Sequence, residues 1–233
     1  MRNRPIPNLS DAQKTYVWDL VLYEDEFVLA FDKPSGLAVQ TRGNRGTSLD
    51  FLLWAFARSN GKRPHLVHRI DAGTSGLILA AKTKPAVTFL SAEFAERRVQ
   101  KTYLALASGN LPPEDQGRID VPLLKTGRSV APGRLEDGAD AASTSWTVLK
   151  REGEAALIEA RPKTGRMHQI RAHLAHLGCP ILGDVIYGTG TERASRLMLH
   201  AAGLTIARPD GQQLTLKAPA PEAFTDKQAE LWL

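Results

Sequence analysis

The chain has 233 residues, of which 42% are hydrophobic and 24% charged, the composition of an ordinary globular protein. A chain of this length buries a sizeable core, so it needs neither a metal nor a disulfide to fold. Its single cysteine, Cys179, excludes an intrachain disulfide and fits a reducing compartment. The formal net charge of +5 and a pI of about 9.4 suit a polyanionic partner, although many proteins without one are equally basic.

The N-terminal segment and the longest apolar run indicate in which cellular compartment to expect the protein. Met1–Gln13 is polar and lacks the apolar core of a secretory signal, and the longest strongly apolar run, Phe51–Ala57, is far too short to cross a bilayer. We therefore expect a soluble cytoplasmic protein without membrane association. Residues 161–183 contain four Lys or Arg residues, three His and no acid. This local positive segment favours an anionic partner more than the net charge does.

Apolar runs that end at turn residues predict strands in the first half of the chain, and capped apolar stretches predict helices. Residues 1–20 are interpreted as an arm or a short extension. The predicted elements that follow are a strand at 27–31, a helix at 51–58, strands at 65–70 and 76–81 around a turn at 71–75, a helix at 84–98 and a strand at 103–107.

The second half begins with residues 109–140, which are rich in Gly, Pro and charge and are predicted to form a long loop. Beyond it we predict strands at 143–149 and 155–161, a helix at 166–177, and a hairpin of 197–207 with 213–217. No repeat and no low-complexity linker divides the chain. Because strands and helices mix without strict alternation, the pattern favours an α+β fold with a mostly antiparallel sheet.

The segment His68–Gly76 delivers an aspartate, Asp71, from an apolar strand to a turn with two glycines and two hydroxyl residues. Such a turn is often purely structural, because an Asp side chain bonds the backbone two residues on. The neighbouring His68 and Arg69 favour a second interpretation, in which an ionised carboxylate serves as nucleophile or base. The residues alone leave both interpretations open.

A second candidate segment, Thr164–Arg171, puts an arginine and several donors at the start of a predicted helix, where anions bind favourably. Phosphate contact and an ordinary helix cap explain this segment equally well. Tyr103 lies at the start of a predicted strand, and a tyrosine there is normally a packing residue. His168, His173 and His176 share a helix, but no two are four residues apart and no Cys or Glu cluster joins them, so we predict no metal site.

Several motifs, taken together in chain order, resemble those of the RluA-type pseudouridine synthases. The resemblance covers about residues 26 to 224, from a first motif through the segment around Asp71 to a C-terminal signature. Each motif is moderately specific, and their common order makes the combination strong. The motifs are Asp32–Gly36, His68–Lys82, Lys101–Ala105, Arg161–Leu174 with Gly178–Asp184, and Leu199–Ala201 with Ala218–Pro219.

The resemblance implies a catalytic set. Asp71 matches the catalytic aspartate of the family, Tyr103 its active-site tyrosine, and Arg166 the arginine that pairs with that aspartate. An arginine at the place of Arg69 lies near the flipped nucleotide in that family. The residues that we predict to bind RNA are Arg69, Lys101, Gln169 and Arg171.

The resemblance also implies a fold, a reaction and a domain organisation. The fold is a mixed, largely antiparallel sheet with flanking helices and a central active-site cleft. The reaction converts uridine to pseudouridine in structured transfer or ribosomal RNA, without a cofactor, and we expect a monomer. Residues 1–25 would be an N-terminal extension without the S4-type RNA-binding domain of many relatives, and residues 26–233 the catalytic domain.

Two departures from the family pattern concern RNA contacts rather than the catalytic set. Gln40 stands near where many members carry a histidine, and Ala139 where many carry a lysine. Two other classes of function also remain open. A non-catalytic RNA-binding protein would need the basic surface but not Asp71, and a two-carboxylate hydrolase would need a second acid that the segments around Asp71 and Arg166 do not offer.

Overall fold

The structure, a computed structural model, describes residues 7–41, 47–188 and 194–232. Over these ranges the α-helices are α1 (Asp11–Asp19), α2 (Leu49–Leu52), α3 (Lys84–Ala95), α4 (Gln169–His176) and α5 (Glu222–Leu231). The strands are β1 (Val21–Glu24), β2 (Val28–Lys33), β3 (His65–Leu66), β4 (Ser75–Ala81), β5 (Gln100–Ser108), β6 (Gln116–Ile119), β7 (Leu123–Thr126), β8 (Ser129–Pro132), β9 (Thr144–Glu152), β10 (Ala155–Pro162), β11 (Leu199–Ala207) and β12 (Gln213–Lys217). The predicted α+β fold with a mixed, largely antiparallel sheet is confirmed.

The chain divides into two compact units, and the first comprises Met1–Val99 and Thr205–Ala218. In this unit β2 pairs antiparallel with both β1 and β4, and β3 pairs antiparallel with β4. Every residue of β4 is buried, which explains its continuous apolar sequence. Helix α2 begins at the predicted cap, where Ser48 accepts a hydrogen bond from the backbone N–H of Phe51.

The second unit comprises Gln100–Leu204 and Pro219–Leu233. Strands β5, β10, β9 and β6 pair in that order, each antiparallel to its neighbour. A separate two-stranded hairpin is formed by β7 and β8, and α4 packs near β8, β9 and β10. The core of this unit includes Cys179, which is fully buried as an apolar residue.

The prediction of a long loop at 109–140 was wrong, because three strands and a 3₁₀ turn form there. Strands β6, β7 and β8 have four residues each, and most of their side chains are exposed or only partly buried. Such strands lack the apolar alternation that reveals a half-buried strand in a sequence. The hairpin turns at Gly127, whose φ of +66° lies in the left-handed region that glycine adopts freely.

Other differences concern the bounds of helices and strands. The segment interpreted as an arm contains α1, and its N-terminus is closed by a capping box in which Ser10 and Gln13 bond each other's backbone N–H groups. The first six residues of that segment lie outside the described part of the chain. Helix α4 begins at Gln169 rather than at Arg166, because His168 has a φ of +51° and interrupts helical geometry. Strand β3 ends at Leu66, four residues before its predicted end.

The division into two units was not apparent from composition. It falls after Val99, Leu204 and Ala218, and none of these points lies in a Gly- or Ser-rich linker. A single catalytic domain over residues 26–233 therefore stays a prediction. Within the described ranges, no helix combines the length and the apolar character needed to cross a membrane.

Candidate active site

The turn that carries Asp71 lies in the first unit, immediately before β4. A backbone hydrogen bond of 3.1 Å from the N–H of Thr74 to the carbonyl oxygen of Asp71 closes the turn. Thr74 and Ser75 are buried, Asp71 is partly exposed and Arg69 is exposed. The strand therefore begins in the core, while Asp71 and Arg69 lie partly or fully at the surface.

The first sequence motif holds this turn in place. The Nζ of Lys33, which is fully buried, donates to the carbonyl oxygens of Pro34, Leu37 and Ala72 at 2.8, 2.9 and 3.0 Å. The N–H of Gly36 also donates to Ala72, at 2.8 Å. Three carbonyl acceptors satisfy the donors of a buried ammonium, so Lys33 joins two turns that are far apart in sequence.

Two further hydrogen bonds fix the same turn from its flanks. The Oγ of Ser35 donates to the carbonyl oxygen of Gly73 at 2.7 Å. On the other side, the N–H of Leu79 donates to Nε2 of His68 at 2.9 Å, and the imidazole stacks on Phe94 with ring centroids 4.4 Å apart. His68 thus holds the chain before Asp71 against both β4 and α3, and the carboxylate is presented by a fixed backbone.

The remaining predicted site residues lie in the second unit. Tyr103 lies on β5, opposite Ala160 of β10, and packs partly buried against the core of the unit. Lys101, two residues before it, donates from Nζ to the carbonyl oxygen of Thr164 at 3.0 Å. The tyrosine motif and the loop before α4 are therefore joined, as two motifs that contribute to one site would be.

Gln169 organises the loop that leads to Arg166. Its Oε1 accepts hydrogen bonds from the Oγ1 of Thr164 at 2.6 Å and from the N–H of Arg166 at 3.0 Å. Its Nε2 donates to Ser143 and Thr144, both at 2.9 Å. Gln169 is only 4% exposed, so these contacts argue against the predicted RNA contact and indicate that it positions Arg166 instead.

Arg166 is partly exposed and directed towards the segment before β9. Its Nη1 lies 3.2 Å from Oδ1 of Asp140, and its Nε donates to the carbonyl oxygen of Ala141 at 3.2 Å. Asp140 is well exposed, so this ion pair is weak and readily exchanged for another anion. The pairing of Arg166 with Asp71 stays a prediction.

Arg171 was predicted to contact RNA, and its surroundings argue against that role. It is 7% exposed, and its Nε and Nη2 each donate to Asp184 at 2.7 Å. The guanidinium also lies 5.3 Å from the ring centroid of Tyr187. Burial by itself would raise the pKa of the Asp184 carboxyl, yet hydrogen bonds from Arg171 and from the N–H of Ile186 hold that pKa below its usual value. Arg171 is engaged inside the fold, so no free cation is offered to a phosphate.

Lys33, Asp140 and Asp184 were not singled out from the sequence. Lys33 had a recognisable signal, because it ends an otherwise mostly apolar strand and directly precedes a Pro-Ser-Gly turn, a position from which its side chain can enter the interior. Asp184 ends the motif Gly178–Asp184, but its pairing with Arg171, 13 residues away, left no signal in the sequence. Asp140 had no signal, since its partner Arg166 lies 26 residues away along the chain. Over the described ranges, no group of three or more His, Cys, Asp or Glu side chains is placed to hold a metal ion.

Comparison with known proteins bears on the reaction at this site. Residues 27–176 match the family model for RNA pseudouridylate synthases. An RNA pseudouridine synthase of Zymomonas mobilis is 39% identical over 88% of this chain and 95% of its own length. The dual-specificity RNA pseudouridine synthase RluA of Escherichia coli K12 is 36% identical over 87% of this chain and 94% of its own length.

A solved structure agrees with these sequence matches. Human RNA pseudouridylate synthase domain containing 4 superposes with a TM-score of 0.80, covers 96% of this chain and 98% of its own, and is 25% identical in sequence. The matched residues 27–176 include the turn of Asp71, the strand of Tyr103 and the loop of Arg166. The chain belongs to the RNA pseudouridine synthase family, in its RluA-type branch, and is an isomerase.

Proposed function

We propose that this enzyme isomerises specific uridines in structured transfer or ribosomal RNA, with Asp71 as the nucleophile. The observation that carries the proposal is the turn of Asp71, which is anchored by Lys33, Ser35, Gly36 and His68 yet leaves Asp71 partly exposed. A carboxylate on a fixed backbone is preorganised for attack on a substrate that enters from solvent. Transfer and ribosomal RNA are proposed because the family that the sequence motifs resemble acts on them, and the name of the E. coli relative describes dual specificity.

The reaction rearranges bonds without net oxidation or reduction. The target nucleotide first leaves its stack, at a cost of a few kcal/mol. The N1–C1′ bond then breaks, the uracil turns, and C5 forms a new bond to C1′. The hydrogen on C5 leaves to solvent and N1 takes up a proton, so atoms and charge balance and no cofactor is needed. Asp71 attacks either C6 of the ring or C1′ of the ribose, and both routes give the same product.

The other proposed residues assist Asp71. Arg166 would pair with the carboxylate, exchanging its exposed partner Asp140 for Asp71. Tyr103 would stack on the base and relay the C5 proton, its hydroxyl oxygen accepting that proton as the hydroxyl passes its own proton to solvent. Arg69, which is exposed beside Asp71, would occupy the space that the flipped nucleotide leaves or contact its phosphate. We place this activity in the cytoplasm and assign it to a monomer.

The experiment uses RNA transcripts labelled with tritium at C5 of uridine, because isomerisation releases that label into water. Unmodified transfer RNA and large-subunit ribosomal RNA transcripts are assayed separately, without divalent metal beyond that needed to fold the RNA. We expect tritium release from at least one of them by the wild-type enzyme. Release that depends on a specific metal would contradict the cofactor-free reaction.

The Asp71→Asn variant then tests the nucleophile and the alternative of a non-catalytic RNA-binding protein. It keeps the shape of the side chain but removes its charge, so we expect no tritium release with RNA affinity largely retained. Asp115→Asn, at an exposed position, serves as the matched control and should turn over normally. Substantial turnover by Asp71→Asn would remove Asp71 from its proposed role.

A further inference from the structure

A pocket of about 330 Å³ lies in the first unit, and the proposed catalytic residues do not line it. Its walls include Trp18, Phe56, Glu24, Arg58, Lys62 and Lys82. We propose that it binds one unpaired nucleotide of the RNA substrate, distant from the uridine that is isomerised. The inference rests on the proposed function, since it assigns a second contact to the same RNA.

The aromatic wall of this pocket suits a nucleobase. The rings of Trp18 and Phe56 lie 4.4 Å apart between centroids, which fixes the indole, and Trp18 remains 49% exposed. A rigid indole that is supported from one side and open on the other offers a surface on which any base can stack. A volume near 330 Å³ is at the lower end of ligand pockets and suits a single nucleotide.

The charged wall suits a phosphate. Arg58 and Lys62 flank a turn closed by a 2.8 Å hydrogen bond from the N–H of Arg58 to the carbonyl oxygen of Lys62. Neither side chain forms an ion pair with another residue of the described ranges. Glu24, the acid among the described residues of the pocket wall, is paired with Lys82 at 2.6 Å. With that pair neutralised, the pocket presents two uncompensated positive charges, as a nucleotide phosphate requires.

The position of the pocket separates it from the catalytic turn. Asp71 precedes the first residue of β4, whereas Lys82 follows the last one. Six residue steps of about 3.3 Å place the two ends of this strand about 20 Å apart. That distance equals roughly six base-pair steps of a duplex at 3.4 Å each. The pocket therefore contacts RNA outside the immediate surroundings of the target uridine and contributes to the choice of substrate.

Binding of a fluorescein-labelled octa-adenylate tests the pocket directly, because this probe is single-stranded and contains no uridine to isomerise. Trp18→Leu keeps an apolar contact with Phe56 but removes the stacking surface, and we expect it to weaken binding about five- to 150-fold. Tyr16→Leu is the matched control, since Tyr16 lies on the same helix, is 42% exposed and does not line the pocket. Equal affinities of these two variants would overturn the proposal, as would failure of the wild-type enzyme to bind the probe.

The charged wall is tested independently of any effect of Trp18 on folding. Arg58→Gln with Lys62→Gln should weaken probe binding more than Lys14→Gln with Lys84→Gln, which removes the same net charge from positions outside the pocket. With a full-length transcript, Trp18→Leu should raise KM and leave kcat unchanged, because the contact is equally strong in the ground and transition states. An unchanged KM contradicts the pocket, whereas absence of wild-type turnover contradicts the proposed function and leaves the probe measurements to decide the pocket.

Discussion

At the scale of single residues, a substitution of Tyr103 can distinguish a role in proton transfer from a role in packing. Strand propensity accounts for an aromatic residue on β5, and the structure packs Tyr103 partly buried against the core of its unit. Tyr103→Phe keeps the ring and its burial but removes the hydroxyl. If the hydroxyl accepts the C5 proton, turnover should fall by about 10²–10⁴-fold, with RNA affinity and thermal stability nearly unchanged.

Single-turnover tritium release measures the chemical step in this variant, and a melting curve controls for folding. Turnover close to that of the wild-type enzyme would leave Tyr103 as a packing residue. The proton acceptor would then have to be another group, such as Asp71 after it has served as nucleophile.

Lys33 gives a second prediction at this scale, because its role is to position the turn of Asp71. Lys33→Met keeps the length of the side chain but leaves the carbonyl oxygens of Pro34 and Leu37 without this buried donor. We expect the free energy of unfolding to fall by roughly 1.5–3 kcal/mol, the worth of hydrogen bonds to a charged group. Urea unfolding measures this loss, and Lys84→Met, at an exposed position, should have almost no effect.

A positioning role for Lys33 also predicts a kinetic signature. At temperatures where Lys33→Met remains folded, kcat should fall while KM for RNA changes little, because the carboxylate is misplaced but the RNA contacts are intact. Loss of stability with an unchanged kcat would show that Lys33 supports the fold alone.

At the scale of elements, the sequence predicted the buried strands and the capped helices well. Strand β4 and helix α3 have continuous or periodic apolar residues between clear turn signals, so their patterns report burial directly. Strands β6 to β8 were missed because their mostly exposed side chains leave no apolar alternation in the sequence. Strand β6 also depends on pairing with the distant β9, whereas β7 and β8 pair with each other across a short turn. Helix α1 had a local signal, the Ser10–Gln13 capping box, although its segment was interpreted as an arm.

The candidate site shows the same division. The turn of Asp71 and the strand of Tyr103 follow from motifs, because their chemistry depends on local residue types. The surroundings of Gln169 and Arg171 could not be predicted from motifs, since their hydrogen-bond partners come from other parts of the chain. Long polar side chains in a basic segment resemble RNA contacts in sequence, and only the packing shows which of them are buried.

The basic side chains of the second unit differ in exposure, and this difference yields a prediction. Lys125 lies near the end of β7 and Arg128 in the turn of the β7–β8 hairpin, and both are exposed, whereas Arg171 is buried against Asp184. Lys125→Gln with Arg128→Gln should reduce the salt dependence of RNA binding, by about 0.7–0.9 in the log–log slope for each phosphate that the variant no longer neutralises. The stability of the protein should remain unchanged.

Arg171→Met is the contrasting variant. Removal of one partner from a buried ion pair costs about 3–5 kcal/mol, so we expect a large loss of stability. Replacing both partners, with Arg171→Met and Asp184→Leu, should restore part of that loss. For the double variant the slope of RNA affinity against salt should equal that of the wild-type protein. A reduced slope would indicate that Arg171 contacts RNA phosphates after all.

At the scale of the whole molecule, one contribution to the dependence of stability on pH comes from a buried histidine, His173. His173 is fully buried; its Nδ1 bonds Thr144 at 2.9 Å and its Nε2 donates to the carbonyl oxygen of Val121 at 3.0 Å. Burial lowers the pKa of the imidazole below its usual value despite the opposing hydrogen bond to Val121, and the charge of His176 adds to the lowering. The folded protein therefore favours the neutral form of this histidine more than the unfolded chain does.

The sign of the effect follows from proton uptake. The unfolded chain binds a proton at this histidine near pH 6.5, whereas the folded chain does so only at lower pH, so stability falls as pH drops below about 6.5. One such group changes stability by at most about 1.4 kcal/mol per pH unit. His65 is exposed, but partial desolvation and the nearby Arg63 lower its pKa too. It therefore changes stability in the same direction. The depressed pKa of Asp184 reduces stability only in more acidic solution, as pH falls below the pKa that this carboxyl has in the unfolded chain.

Urea unfolding between pH 8 and 5 measures this dependence. The wild-type protein should lose stability steadily below pH 6.5, and His173→Gln should lower the stability at pH 8 while reducing its decline towards pH 5. His176→Gln is the matched control, because His176 lies on the same helix but is exposed. It removes only a minor cause of the lowered pKa of His173, so most of the decline towards pH 5 should remain. A wild-type profile that is flat from pH 8 to 5 would contradict the lowered pKa of the buried His173. With that pKa lowered, the unfolded chain takes up a proton at His173 more readily than the folded chain does as pH falls.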